Sequence, residues 1–323
     1  MINGILNIYK EKGYTSHDVV ARLRGIVGQK KIGHTGTLDP EAEGVLPVCL
    51  GRATKVCDML TDKNKTYEAV LLLGKVTDTQ DITGKVLASH SPDDPELPGG
   101  AVTAQKAEEC IRGFIGGYDQ IPPMYSALKV GGKKLYELAR EGRTVERKSR
   151  RIMIYDIRIR EISLPRICME VDCSKGTYIR TLCHDIGEKL GCGGCMEKLL
   201  RTRVGQFSLE QSLKLDDVER LVQEGRLDEV LIPVDRLFSD LDELCLRERF
   251  NLSGYNGNPL ECRCFTSKIT PALSGQTQQK RFRIYDSRRN FIGIYYYDRK
   301  KERLCPEKMF LDPEQIRQDQ KKK

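Results

Sequence analysis

One aspartate stands in a setting that suits chemistry. Asp39 lies in the stretch G-H-T-G-T-L-D-P at residues 33–40, between small residues and a proline. The two glycines allow backbone angles that a Cβ would forbid, and Pro40 disfavours a helix before it. We therefore predict a rigid, non-helical loop that holds Asp39 and His34 in place. Such a carboxylate can act as a nucleophile or a base, although these residues alone also fit a tight turn in which the aspartate bonds its own backbone.

Further motifs follow this loop in a specific order. They are E-A-E-G-V-L-P at 41–47, G-R-A-T-K at 51–55, K-T-Y-E at 65–68, P-P-M-Y-S-A-L-K at 122–129 and S-K-G-T-Y-I-R at 174–180. Together with the Asp39 loop, this set closely resembles the bacterial tRNA pseudouridine-55 synthases, the TruB family. The likeness runs from about residue 3 to residue 234 and is weaker beyond Asp235. It implies isomerisation of uridine 55 in the T-loop of tRNA to pseudouridine, with base flipping and without a cofactor or metal.

The resemblance also implies catalytic roles for four side chains. Asp39 matches the family's catalytic aspartate, and Arg180 matches the arginine that pairs with it. Because its planar guanidinium can hold both carboxylate oxygens, we expect Arg180 to keep Asp39 ionised and oriented. Tyr67 matches the tyrosine that stacks on the target uracil, and Tyr178 matches a second tyrosine beside the pair. Whether the carboxylate attacks C1′, adds to C6 or assists a glycal route stays open.

Other residues match positions that bind the substrate. His34 matches the histidine that fills the space left by the flipped nucleotides and stacks on the RNA. Leu200 fits an apolar wall of the pocket, although Leu199 could hold that position instead. Lys55 is expected to meet a phosphate or to support the Asp39 loop.

Positive charge is concentrated in one segment. The chain has 54 Lys and Arg residues against 46 Asp and Glu residues, and residues 124–151 hold nine basic and three acidic side chains. This segment predicts a polyanion contact, the alternative being a solvated basic loop. It resembles the family's thumb-like insertion over the tRNA T-arm. The cations expected to meet backbone phosphates are Lys129, Lys133, Lys134, Arg140, Arg143, Arg147 and Lys148.

The composition is that of a globular protein. The chain has 323 residues, of which 39% are hydrophobic and 31% charged, without an apolar run long enough to cross a membrane. The first residues lack the pattern of a signal peptide. We expect a cytoplasmic monomer that binds tRNA, without a membrane association or an obligate protein partner.

Cysteine is abundant, with twelve residues. In a cytosolic chain they are expected to be reduced, small and mostly buried. The C-G-G-C stretch at 192–195 has the spacing of a zinc knuckle or a redox motif. This signal is weak alone, and the family needs no metal, so no metal site is predicted.

The elements that must hold these residues are both helical and extended. Apolar patterns predict strands at 5–9, 67–73 and 167–173, and a long strand segment at 152–159 with a change of phase near Tyr155-Asp156. Helices are predicted from a Ser16 or Asp18 cap to Gly28, over 53–60, from Thr103, and over 178–190. Because the order is not a regular βαβ repeat, we predict an α+β fold with a mixed, mostly antiparallel sheet.

Two domains are expected. Residues 1–238 would form a pseudouridine synthase catalytic domain with the insertion at about 124–151. Residues 239–323 would form a small β-rich domain that resembles the RNA-binding PUA type, because 282–297 has the pattern of a β-hairpin. A short basic tail, residues 321–323, ends the chain.

Two other functions fit part of the pattern. A tRNA-folding chaperone would need the basic insertion and the C-terminal domain but no catalysis. A guide-RNA-dependent synthase of the archaeal and eukaryotic kind would share the catalytic core but lack the insertion. The complete set of Asp39, Tyr67, Tyr178 and Arg180 argues against a purely non-catalytic protein.

Overall fold

A computed structural model describes residues 1–267 and 280–311. The predicted basic tail at 321–323 lies outside these residues. The helices are α1 (Ser16–Val27), α2 (Cys57–Thr61), α3 (Ala104–Arg112), α4 (Leu135–Arg140), α5 (Ile179–Lys189), α6 (Leu215–Gln223) and α7 (Asn251–Tyr255). Within the described part, no helix is long and apolar enough to cross a membrane.

The strands form two principal sheets and two small hairpins. Those of the first half of the chain are β1 (Gly4–Lys10), β2 (Ile32–His34), β3 (Glu43–Leu50), β4 (Lys65–Leu73), β5 (Lys75–Thr77), β6 (Val86–Ser89), β7 (Gly116–Gln120), β8 (Lys129–Val130), β9 (Lys133–Lys134) and β10 (Arg150–Ser163). Those of the second half are β11 (Arg166–Cys173), β12 (Gly194–Val204), β13 (Phe207–Ser208), β14 (Asp242–Cys245), β15 (Leu260–Glu261), β16 (Arg281–Tyr285), β17 (Phe291–Asp298) and β18 (Arg303–Met309).

The large sheet has nine strands. Its main order is β1-β3-β12-β4-β11-β10-β7, with β2 on β3 and β13 on β12. All neighbours run antiparallel except β3 and β12, which pair in parallel at only two positions, Leu200 with Glu43 and Arg201 with Gly44. The α+β fold with a mixed, mostly antiparallel sheet is therefore confirmed. The short parallel contact lies where the Asp39 loop enters β3.

Helices cover the sheet through separate apolar clusters. One cluster packs α3 and α5 against β4, β10 and β11. Another packs α1 and α6 against β1 and β3. Burial of these aliphatic side chains is the main force that holds the helices in place.

Two close backbone approaches depend on glycine. Gly44 has φ +107°, and a Cβ there would lie 2.2 Å from the carbonyl oxygen of Arg201, so β3 can meet β12 only at a glycine. A Cβ on Gly187 would lie 2.2 Å from the backbone nitrogen of Gly194, so α5 sits directly on β12. The helix that carries Arg180 is thereby held against the sheet.

The predicted helix limits need three corrections. Thr15, rather than Ser16 or Asp18, caps α1, and Asp18 completes a reciprocal capping box with it. Gly28 ends that helix, as predicted, and it adopts the left-handed conformation. The segment predicted as one helix at 53–60 is a 3₁₀ turn followed by the short α2. The helix predicted from residue 178 begins at residue 179, with Tyr178 as its cap.

The predicted strands at 5–9, 67–73, 152–159 and 167–173 are confirmed. The change of phase predicted near Tyr155 is a shift of register between β10 and β11, a β-bulge of one residue. The helix predicted from Thr103 is confirmed as well, because the Thr103 side chain accepts a hydrogen bond from the backbone N–H of Lys106.

The C-terminal part contains a five-stranded sheet in the order β14-β16-β17-β18-β15. Its predicted hairpin is confirmed as β16 and β17, and the sheet is consistent with a PUA-like domain. Phe291 and Phe310 stack on each other, with ring centroids 5.5 Å apart, in an apolar cluster that also contains Val45 and Phe207 of the catalytic part. The boundary at 238/239 stays a prediction.

Candidate active site

The Asp39 loop joins β2 to β3 and is fixed from several sides. The buried hydroxyl of Ser16 accepts a hydrogen bond from the backbone N–H of Leu38 at 2.9 Å. The carbonyl oxygen of Pro40 accepts bonds from the backbone N–H of Gly13 at 2.9 Å and from Lys10 Nζ at 3.1 Å. These bonds lie on both sides of Asp39 and hold the backbone that carries its carboxylate, and the loop is non-helical, as predicted.

Two nitrogens of Arg180 contact the two oxygens of the Asp39 carboxylate. Arg180 Nε lies 2.9 Å from Asp39 Oδ2, and Arg180 Nη2 donates to Oδ1 at 3.3 Å. The arginine side chain is 6% exposed whereas the aspartate side chain is 39% exposed. The carboxylate is thus oriented by a buried cation while part of it remains open to a substrate.

The remaining donors of Arg180 are also occupied. Nη1 donates to the carbonyl oxygen of Thr79 at 3.1 Å and lies 3.4 Å from Asp81 Oδ2, and Nη2 donates to the carbonyl oxygen of Tyr125 at 2.9 Å. The other oxygen of Asp81 accepts from the hydroxyls of Thr79 and Thr83. The guanidinium therefore lies between two carboxylates and is held in one orientation.

These charges act on the Asp39 carboxyl in opposite directions. Burial raises the pKa of this carboxyl above its ordinary value, and Asp81 adds to the rise; the Arg180 guanidinium and the Lys10 ammonium oppose it. Burial also lowers the pKa of Lys10, to about 8. Arg180 is thus the main group that favours the ionised form of Asp39.

Tyr67 lies on β4 and is buried, beside a second buried arginine. Burial raises the pKa of the Tyr67 hydroxyl, and the adjacent Arg201 guanidinium opposes that rise. Arg201 Nε donates to the carbonyl oxygen of Val45 at 2.7 Å. Arg201 thus links the tyrosine to the strand that follows the Asp39 loop.

Tyr178 is the N-cap residue of α5, two residues before Arg180. Burial raises the pKa of its hydroxyl, and the nearby Arg150 and Arg180 partly offset the increase. The structure therefore brings together all four predicted catalytic side chains around the Asp39 loop.

A cleft of about 580 Å³ opens at the carboxylate. Its lining includes Asp39, Asp81, Met169, Met196 and both candidate leucines of β12. The register pairs Leu199 with Ala69 and Arg201 with Tyr67, whereas Leu200 pairs with the exposed Glu68. Because side chains alternate along a strand, Leu199 lies on the Tyr67 face and Leu200 on the other.

His34 ends β2 and is half-buried. Its ring packs edge-on against His17 of α1, with centroids 5.3 Å apart. Burial lowers the pKa of the His34 imidazole, and the nearby His17 adds to the effect. These effects favour the uncharged form of the ring.

The basic insertion carries two short strands, β8 and β9, followed by α4. Lys129, Lys133 and Arg143 are exposed, whereas Lys134 is half-buried. Lys133 Nζ lies 3.1 Å from Glu141 Oε1, and Arg143 Nη1 lies 3.6 Å from Glu141 Oε2. Such surface pairs contribute little to stability, so these cations can exchange Glu141 for another anion.

Lys55 lies apart from the Asp39 pair. Its Nζ donates to the carbonyl oxygen of Met309 on β18 at 2.7 Å, and Arg52 donates to the carbonyl oxygen of Leu311. Lys55 is thus at the junction between the catalytic part and the C-terminal sheet.

Cys192 and Cys195 are both buried. In residues 1–267 and 280–311, no group of three or more His, Cys, Asp or Glu side chains is arranged to hold a metal ion. Burial raises the pKa of the Cys195 thiol to about 11.

Three residues around Asp39 escaped the sequence analysis: Lys10, Asp81 and Arg201. Asp81 lies in the turn between β5 and β6, and its flanking threonines are typical of a side-chain-capped turn. Lys10 and Arg201 end or interrupt apolar strands, where a charged residue is normally assigned to the surface. Only their spatial neighbours reveal that they are buried beside the site.

Comparison with known proteins identifies the family. Residues 24–179 match the TruB family pseudouridylate synthase N-terminal domain, and residues 180–239 match the tRNA pseudouridylate synthase B C-terminal domain. The chain belongs to the TruB family of pseudouridylate synthases. It is accordingly an RNA-binding isomerase that modifies tRNA by forming pseudouridine.

Relatives of this TruB chain match it almost end to end. The tRNA pseudouridine synthase B of Lachnoclostridium phytofermentans is 51% identical over 96% of this chain and 100% of its own length. The protein of the same name from Clostridium acetobutylicum is 43% identical over 91% of this chain and 95% of its own length.

Solved structures confirm the fold of this TruB chain. A chain of a Cbf5–Nop10–Gar1 complex superposes with a TM-score of 0.68 at 25% identity, covering 96% of this chain and 86% of that chain. A chain of an H/ACA RNP bound to a substrate RNA containing 2′-deoxyuridine gives the same TM-score at 24% identity, covering 96% and 85%.

Proposed function

We propose that this enzyme isomerises uridine 55 in the T-loop of tRNA, with the Asp39 carboxylate as the nucleophile. The N1–C1′ bond of the uridine breaks, the uracil turns, and a C5–C1′ bond forms. The proton on C5 leaves and N1 gains one, so no atom is added or lost. One observation supports the proposal most: the Asp39 carboxylate is partly exposed at the edge of a cleft and is paired with the buried Arg180.

Arg180 has two tasks in this mechanism. It favours the ionised carboxylate, which is the reactive form for attack at C1′, for addition to C6 and for assistance of a glycal route. It also fixes the direction of the carboxylate oxygens. The Asp81 carboxylate and the Tyr125 carbonyl hold the guanidinium itself.

The detached uracil must be kept in the site while it rotates. We assign this retention to the Tyr67 ring, because a flat aromatic surface binds a base without fixing its angle. Leu199 contributes an apolar wall on the same face, in preference to Leu200. Tyr178 closes the site next to Arg180. Exclusion of water by these side chains strengthens the attraction between Asp39 and Arg180.

Access to uridine 55 requires the nucleotide to leave the stack. Flipping a base costs a few kcal/mol. We assign to the uncharged His34 ring the stacking that recovers part of this cost. The insertion cations Lys129, Lys133, Lys134 and Arg143 would hold the phosphates of the T-arm, while the folded shape of the T-loop supplies the specificity.

The remaining assignments concern the whole protein. Lys55 either meets an RNA phosphate at the domain junction or supports that junction. We further propose that the enzyme acts in the cytoplasm as a monomer, with residues 239–323 as an additional RNA-binding domain.

The specificity can be tested on defined RNA. An isolated T-arm stem-loop and a full unmodified tRNA transcript are incubated with the enzyme, and every uridine is mapped. Pseudouridine at position 55 alone, in both RNAs, is the expected result. Modification at other uridines, or failure on the stem-loop with success on the full tRNA, would contradict recognition of the T-arm.

A chaperone function is the second candidate, favoured by the exposed cations of the insertion. It would persist in an Asp39→Asn variant, because the insertion does not include the catalytic loop. Refolding of a misfolded tRNA by that variant, at the rate of the wild type, would support this second function.

A further inference from the structure

Gln120 is a buried polar residue at the root of the basic insertion. It is the last residue of β7, and its side chain is buried. β7 is an edge strand that pairs only with β10 among the strands described, and the insertion begins a few residues later. Gln120 therefore stands where the insertion leaves the sheet.

The Gln120 amide binds the backbone of one residue at two points. Gln120 Oε1 accepts a hydrogen bond from the backbone N–H of Tyr178 at 2.8 Å, and Gln120 Nε2 donates to the carbonyl oxygen of Tyr178 at 3.0 Å. Nε2 also lies 2.5 Å from the hydroxyl oxygen of Tyr118. A primary amide offers both an acceptor and a donor, which this contact requires.

Tyr178 is where the chain enters α5. Its own side chain makes no capping bond, so Gln120 supplies the acceptor that this turn of backbone needs. Arg180 follows two residues later and also donates to the carbonyl oxygen of Tyr125 in the insertion. The start of α5 is thus tied by two independent contacts, one to the root of the insertion at Gln120 and one to the insertion itself at Tyr125.

We propose that Gln120 is a positioning residue that fixes Tyr178 and Arg180 relative to the root of the insertion. RNA bound by the insertion is thereby aligned with the Asp39 carboxylate. This inference rests on the catalytic roles proposed above for Arg180 and Tyr178. Gln120 itself touches neither Asp39 nor the cleft. Its effect on the reaction passes through the two residues it aligns.

The test uses Gln120→Met, which keeps the length of the side chain and removes both hydrogen-bonding groups. The single-turnover rate of pseudouridine formation should fall at least tenfold, while the Kd for tRNA stays within twofold of the wild type. The acid limb of the rate profile should also move to higher pH. A displaced Arg180 lowers the pKa of Asp39 less, whereas Lys10 and Asp81 still act on it unchanged.

Two further variants separate positioning from general loss of stability. Thr103→Ala removes the side-chain cap of α3 at a residue outside the lining of the cleft, and should lower Tm without changing the rate profile. Gln120→Glu keeps an acceptor for the Tyr178 N–H but has no donor for its carbonyl when ionised. It should also lose rate at unchanged Kd, and it carries the test if Gln120→Met does not fold.

Arg180→Lys is measured in parallel as the reference for the site. If it loses activity while both Gln120 variants stay within twofold of the wild type, the positioning role of Gln120 is overturned and the proposed site stands. A Gln120 loss matched by Thr103→Ala at equal Tm would also overturn it. If Arg180→Lys itself is fully active, the proposed catalytic site fails, and the inference fails with it.

Discussion

Replacement of Arg180 by lysine tests the geometry of the site, because it keeps the charge and removes the planar fork. The guanidinium gives Asp39 two contacts, at 2.9 and 3.3 Å, and it also serves the carbonyl oxygen of Tyr125. A lysine ammonium on a flexible stem can keep one contact with the carboxylate but not this whole set. The variant therefore binds Asp39 without fixing its direction.

The size of the effect follows from the contact that is lost. A hydrogen bond to a charged group contributes about 1.5–3 kcal/mol. A loss of about 2–3 kcal/mol of transition-state stabilisation corresponds to a rate reduction of roughly 30- to 160-fold. The tRNA Kd should not change, because Arg180 is buried and none of its contacts is with a cation of the insertion.

The assay is single-turnover release of tritium from tRNA labelled at C5 of uridine, with tRNA binding measured separately. Arg158→Lys is the matched control, since Arg158 lies on the exposed part of β10 and pairs with Asp156 and Glu170 at the surface. Its rate should equal that of the wild type. A rate for Arg180→Lys within threefold of the wild type would refute the two-pronged role of the arginine.

Three further predictions concern separate parts of the molecule. Tyr67→Phe keeps the ring but leaves the buried Arg201 without its hydroxyl neighbour, so we expect at least a tenfold lower single-turnover rate; an unchanged rate would limit Tyr67 to stacking. Changing three insertion cations to glutamine should weaken tRNA binding and reduce the slope of log Kd against log salt by about 2; an unchanged slope would contradict the phosphate contacts. These cations are Lys133, Lys134 and Arg143. Gly44→Ala should lower the free energy of unfolding, measured by urea denaturation, by at least about 2 kcal/mol, because its Cβ would meet the backbone of β12. Gly225 also has positive φ but has open space around it, so Gly225→Ala should lower the free energy of unfolding by less.

The features predicted correctly from the sequence are those encoded locally. The Asp39 loop is non-helical because its glycines and its proline favour other backbone conformations. The bulge in β10 left a visible break in the alternation of apolar residues near Tyr155. The end of α1 at Gly28 follows from the left-handed conformation that glycine adopts easily.

The features that were missed depend on contacts between distant segments. Asp81 and Arg180 are 99 residues apart in the chain, and nothing in either neighbourhood indicates that they meet. Lys10 and Arg201 read as ordinary surface charges because their partners are backbone carbonyls or residues of other strands. Thr15 was overlooked as a cap because Ser16 is equally suited by type, and in the fold Ser16 is used by the Asp39 loop.

The choice between Leu199 and Leu200 shows the limit of strand periodicity. The pairing of β12 with β4 contains two shifts of register, one between Met196 and Lys198 and one between Arg201 and Arg203. Each shift changes which residues point to the Tyr67 face. Counting in twos along the sequence therefore cannot assign the face, whereas the observed register can.

The central claim is that the Asp39 carboxylate performs the isomerisation. The most direct measurement compares the wild type and Asp39→Asn on one unmodified tRNA transcript, with every uridine mapped and tRNA binding recorded for both. The asparagine has nearly the same shape but no charge, so binding should persist. We predict pseudouridine at position 55 with the wild type and at no position with Asp39→Asn. Pseudouridine formation by the variant at a rate near that of the wild type would contradict the account.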